Sequence, residues 1–155
     1  MILRSPLEFS KKDSKRARIA ARKLNQYRKL WDLASTAIME EDASFAESFS
    51  ALAVTYGFQG SPHIDKQNTS NFYGLSLGDF LDGQGGICVE CSPFVVAHVN
   101  TKGRLAKVDG RFVHWVAPYD AGADRFSLIF YQTTDQWLPP TTAVFGVQEK
   151  LLLGL

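Results

Sequence analysis

DGQGGICVECSPFVVAHVNTKGRLAKVDGRFVHWVA, residues 82–117, is the stretch that decides the fold. Short apolar runs at 86–91, 94–99, 104–108 and 111–117 alternate with turn signals. Those signals are Asp82-Gly83, Gly85-Gly86, Ser92-Pro93, Lys102-Gly103 and Asp109-Gly110. Asp-Gly between two apolar runs is a hairpin signal, because both central residues tolerate positive φ. Working outward, the same texture recurs upstream at 50–58 and 72–78 and downstream at 126–132. Short, regularly punctuated strands of this kind predict an antiparallel double-sheet jelly roll.

Further upstream the period changes. From Ser10 to about Glu41 the apolar residues Leu24, Tyr27, Trp31, Ala34 and Ile38 recur at steps of three and four, which puts them on one helix face. Lys and Arg fill the other face. A second short helix is expected after Asp42, with Asp42 or Ser44 as its cap. The expected fold class is therefore mainly β with an N-terminal α part, the helix packed outside one sheet. With 155 residues and 45% hydrophobic content, one domain is expected over 1–155. Within it, 10–48 is the basic helical part, 49–133 the jelly-roll core and 134–155 a tail.

The formal net charge of +1 conceals an asymmetry. Residues 1–30 carry ten Lys/Arg against two Asp/Glu, and the rest carries seven against fourteen. A basic end on an acidic body fits an anionic partner such as nucleic acid, or a solvated helix face. No apolar run approaches the roughly 20 residues needed to span a bilayer, so no membrane partner is expected. Met1 to Phe9 includes Arg4 and Glu8 and lacks a long apolar core, so it does not read as a signal peptide. Cys88 and Cys91 make no disulfide framework, which points to an intracellular setting, the nucleus included.

Pro62-His63-Ile64-Asp65 places an imidazole and a carboxylate two residues apart, on one side of the chain if that chain is extended. His114 follows in a later strand, with Phe112 and Val116 as its same-face neighbours. Two imidazoles and one carboxylate on one face, with the opposite face open, suit non-haem iron(II). Taken singly, His63-x-Asp65 is a common loop pattern and His114 a core histidine. Arg125, with Ser127 two residues later on the same face, offers a guanidinium fork and a hydroxyl to a carboxylate. The competing role for Arg125 is a strand-edge salt bridge with Asp124.

The order His63-x-Asp65, then His114, then Arg125-x-Ser127 resembles the 2-oxoglutarate- and iron(II)-dependent dioxygenases. More narrowly, residues 62–68, 110–118 and 124–131 look like the corresponding motifs of the TET/JBP branch. The resemblance covers roughly residues 50–133. It implies a double-stranded β-helix fold and an enzyme using iron(II), O2 and 2-oxoglutarate to hydroxylate a C–H bond. The methyl group of a pyrimidine base in nucleic acid is the target that this branch implies. His63, Asp65 and His114 would bind the iron; Arg125 and Ser127 would take the distal carboxylate of 2-oxoglutarate. His98 is a further candidate for co-substrate contact. One relative uses ascorbate in place of 2-oxoglutarate, so both stay open as co-substrates. The chain lacks the long N-terminal and inserted elements with which TET/JBP enzymes grip DNA. Two other functions compete: a protein or small-molecule hydroxylase on the same scaffold, and a non-catalytic barrel that binds a partner.

Phe72 and Tyr73 could stack on a planar base or fill the core, and Asn68 and Asn71 could meet a base edge or cap a turn. Cys88-x-x-Cys91 is poorly placed for one zinc, since i and i+3 face opposite sides of a strand. Gly83-Gln84-Gly85-Gly86 has no following Lys-Ser/Thr and is not a phosphate loop.

Overall fold

The computed structural model describes residues 1–6, 15–66 and 68–133. The chain opens with a strand, β1 (Ile2–Arg4), followed by helices α1 (Lys15–Gln26), α2 (Arg28–Glu41) and α3 (Ala43–Ala46). Seven strands follow: β2 (Ala51–Tyr56), β3 (Phe72–Gly78), β4 (Ile87–Ser92), β5 (Val95–Val99), β6 (Ala106–Val108), β7 (His114–Val116) and β8 (Arg125–Tyr131). Each falls within a residue or two of an expected run, although β7 keeps only the end of 111–117. β1 was not expected, because three residues carry no period to read. Pairing with β2, Ile2 opposite Ala53, makes it a strand and buries Leu3.

The strands form two antiparallel sheets, a five-stranded one in the order β1-β2-β8-β3-β6 and a three-stranded one in the order β5-β4-β7. The molecule is thus mainly β with a few helices. The larger sheet is the middle layer. On one face Leu52, Tyr73, Leu128 and Phe130 join Leu24, Trp31, Ala34, Ile38, Phe45 and Phe49 in one core. On the other face Phe72 and Val108 meet Ile87 and Val89 of the smaller sheet. Neighbours in β3 therefore serve opposite layers, Tyr73 towards the helices and Phe72 towards the second sheet, as strand alternation requires.

Two expectations change. The long helix breaks at Tyr27, whose N–H is shared between the carbonyls of Lys23 and Leu24. Such sharing is common where a helix ends. Tyr27 leaves the buried face and stands 37% exposed, while Leu24, Trp31, Ala34 and Ile38 stay buried. Asp109-Gly110 is not a hairpin turn: β6 pairs with β3 in one sheet and β7 with β4 in the other. Gly110 also lacks a positive φ. Only Ser92-Pro93 joins neighbours, β4 and β5; the other turns carry the chain between sheets. Residues 10–14 of the expected helix and the 134–155 tail lie outside the described residues. Among the described residues no helix is long and apolar enough to cross a membrane.

Candidate metal centre

His114 begins β7, and its main chain exchanges two hydrogen bonds with His63: His63 N–H to the His114 carbonyl at 3.0 Å and the reverse at 2.9 Å. This single bridge carries the His63-x-Asp65 segment, which forms no named strand. Asp65 N–H donates to the Gly110 carbonyl at 2.8 Å, which pins the other end. The β6–β7 connection thus anchors both ligand candidates of the loop.

The three side chains converge. One ligand atom from each of His63, Asp65 and His114 lies within 4.8 Å of the others. His63 Nε2 and His114 Nε2 are each 3.9 Å from an Asp65 oxygen, too far for a hydrogen bond. Both imidazoles are oriented from behind. His63 Nδ1 lies 2.7 Å from the Ser61 carbonyl and His114 Nδ1 2.9 Å from the Phe112 carbonyl. A carbonyl only accepts, so each Nδ1 carries a proton, and in the neutral ring that leaves the Nε2 lone pair for the shared point. Asn68 Nδ2 donates to Asp65 Oδ2 at 2.8 Å and fixes the carboxylate plane. Neutral imidazoles and an oriented carboxylate are the donor set that a divalent first-row metal takes.

The triad lies on the wall of a cavity of about 680 Å³ between the sheets. Arg125 and Ser127 of β8 line the same cavity. Arg125 is 1% exposed, yet no carboxylate among the described residues pairs with it. Instead Nε donates to the Gly85 carbonyl at 2.9 Å, Nη1 to Ser127 Oγ at 2.6 Å and Nη2 to Ser76 Oγ at 2.9 Å. Ser76 Oγ in turn shares a proton with Thr101 Oγ1 at 2.8 Å. The guanidinium also lies 5.2 Å from the Tyr119 ring centre and 5.7 Å from that of Phe80. Burial pushes the Arg125 pKa down from its ordinary value, since desolvation disfavours the charged form. The suggested partner, Asp124, accepts from Tyr56 Oη at 2.6 Å instead. A buried cation held only by neutral groups is costly, and an anion placed beside it recovers that cost.

The other sequence candidates fall elsewhere. His98 is exposed on β5, opposite Cys88, and does not line the cavity. Tyr73 is no base-stacking platform: its hydroxyl donates to Asp42 at 2.7 Å within the helix-facing core. Phe72 lines the cavity 5.4 Å from the His114 ring, beside Phe58 and Trp115. Asn68 lines it too, committed to Asp65. Cys88 and Cys91 are both free, and burial raises the Cys88 thiol pKa. Ser76, Gly85 and Gly110 were missed as site residues. Gly85 has φ +60, and a Cβ there would stand 2.8 Å from Arg125 Nε; the Gly85-Gly86 pair was its only sequence signal.

No family model matches the chain, and no curated protein matches it. Among solved structures, "NgTET1 in complex with 5mC DNA" is similar at 17% identity and a TM-score of 0.46, over 55% of this chain and 34% of that one. The chain thus spans about a third of the length of that neighbour. Function has to be argued from the side chains themselves.

Proposed function

We propose that this chain is an iron(II)-dependent oxygenase that uses O2 and 2-oxoglutarate to hydroxylate a C–H bond. The observation that carries this is one cavity holding both a His63/Asp65/His114 triad and a buried, anion-less Arg125. Iron(II) held by the triad would supply oxygen activation, the part that side chains alone cannot perform. The protein's own work is orientation. The Ser61 and Phe112 carbonyls keep both imidazoles aimed, and Asn68 keeps Asp65 aimed. Arg125 and Ser127 would hold the distal carboxylate of the co-substrate, while the triad would hold the iron.

The fold proposed with this activity is a jelly roll of the double-stranded β-helix kind over 49–133, within one domain. Two antiparallel sheets enclosing the site support that proposal. A pyrimidine methyl group in nucleic acid is the proposed target. Lys15, Arg16, Arg22 and Lys29 are exposed on a 15–29 segment free of Asp and Glu, which suits phosphate contacts. Two free cysteines accord with an intracellular setting, the nucleus among the compartments.

The test is succinate release on incubation with iron(II), O2, 2-oxoglutarate and methylated DNA, with mass spectrometry of the bases. Coupled succinate and oxidised base is the expected result. Succinate without base modification would move the proposal to a protein or small-molecule hydroxylase. Failure to bind iron(II) would leave only a partner-binding barrel.

A further inference from the structure

Thr55 stands on β2 directly opposite Ser127 of β8 and lines the same cavity. Cross-strand partners project from the same face, with Cβ atoms about 4.5–5.5 Å apart. Among the described residues, Thr55 Oγ1 is the one buried side-chain polar atom with no hydrogen-bond partner. Buried hydroxyls are almost always paired, so this exception calls for an explanation.

A donor count around Arg125 supplies one. Nε and one Nη2 hydrogen go to the Gly85 carbonyl, the other Nη2 hydrogen goes to Ser76 and one Nη1 hydrogen to Ser127. A single Nη1 N–H is left. Ser127 Oγ accepts from Arg125, so its own O–H is free to donate onward. Thr55 adds a second unspent hydroxyl. Three donors without acceptors among the described residues therefore belong to residues that line one cavity, beside a buried positive charge. A carboxylate, which accepts only, matches that set; a methyl terminus would leave all three unmet.

We infer that Thr55 is a further co-substrate-binding residue, which donates to the distal carboxylate alongside Arg125 and Ser127 and so selects a 2-oxo diacid over a 2-oxo monoacid. This rests on the 2-oxoglutarate proposal above. Because the hydroxyl has no protein bond to surrender among the described residues, a charged acceptor beside it adds a bond without breaking one inside the fold.

The experiment is calorimetric titration of the Mn(II)-loaded protein with 2-oxoglutarate and, as a control, with 2-oxopentanoate, which ends in a methyl group. Thr55→Val should weaken 2-oxoglutarate about tenfold, the scale of one hydrogen bond to a charged group. It should leave 2-oxopentanoate unchanged. Thr55→Ser, which keeps the hydroxyl, should bind 2-oxoglutarate within about threefold of the parent. If Thr55→Val binds the diacid as tightly as the parent does, the role of Thr55 is refuted while the co-substrate proposal stands. If it weakens both acids equally, the hydroxyl acts on packing and the inference is likewise overturned. If the parent itself ignores 2-oxoglutarate, both fall together.

Discussion

His63 and His114 each spend Nδ1 on a main-chain carbonyl, and that choice of partner decides what the other nitrogen can do. With Nδ1 protonated, Nε2 is a ligand rather than a donor. Asp65→Ala should therefore abolish metal binding while leaving the fold in place, since the Asp65 side chain is 30% exposed and bonded only to Asn68. Thermal unfolding with Mn(II) checks this. A ligand at 100 times its Kd adds about 2.7 kcal/mol, or roughly 5–10 °C for a chain of this size. The parent should show that rise and the variant none. Gly110 gives a subtler case. Its φ does not demand glycine, but a Cβ there would stand 2.7 Å from Asp65 Oδ2. Gly110→Ala should push the carboxylate aside, weakening Mn(II) binding by about an order of magnitude with little change in metal-free Tm. Equal Mn(II) affinity in parent and variant would count against Asp65 as a ligand.

At the scale of elements, Asp42 is the joint between layers. Its carboxylate caps α3 by accepting from Phe45 N–H at 3.0 Å, and it also accepts from Tyr73 of β3 at 2.7 Å and Lys107 of β6 at 3.0 Å. These donors, Tyr73 first, hold its pKa well below the usual carboxylate range. A carboxylate with a depressed folded-state pKa stabilises fully above its unfolded value, about 4, and loses that contribution as pH falls towards the folded one. Asp42→Asn should therefore be less stable than the parent at pH 7, and the gap should narrow as pH drops below about 4. Urea titrations at several pH values measure it, and a gap independent of pH would contradict this account. The cap was legible in the sequence because its signal is local: a short acidic side chain before a helical run. The Tyr73 and Lys107 bonds were not, because both partners come from strands far along the chain.

For the whole molecule, charge is concentrated at one end. Arg16 and Arg22 are exposed on α1, and α1 carries no acid. If this face meets duplex phosphates, each contact contributes about 0.9 to the slope of log K against log salt. Arg16→Gln with Arg22→Gln should lower that slope by up to about 2 in a fluorescence anisotropy titration of methylated duplex. It should leave Mn(II) binding untouched. An unchanged slope would assign the basic face to solvation alone.

The chain's own order of residues sufficed for β2 to β8, the helix cap and the naming of His63, Asp65, His114 and Arg125 as candidates. The strands and the cap rest on periods and turn residues that act within a few positions; the site candidates rest on residue types and their order along the chain, as the resemblance reads them. It could not say which turns cross between sheets, that Tyr27 leaves the buried helix face, or which of Tyr73 and Phe72 faces the helices. Nor could it find Gly85 and Ser76 around Arg125, or Thr55 opposite Ser127. Those depend on which strands pair, and pairing is settled by burial of both faces of the larger sheet at once, a condition that no single segment contains.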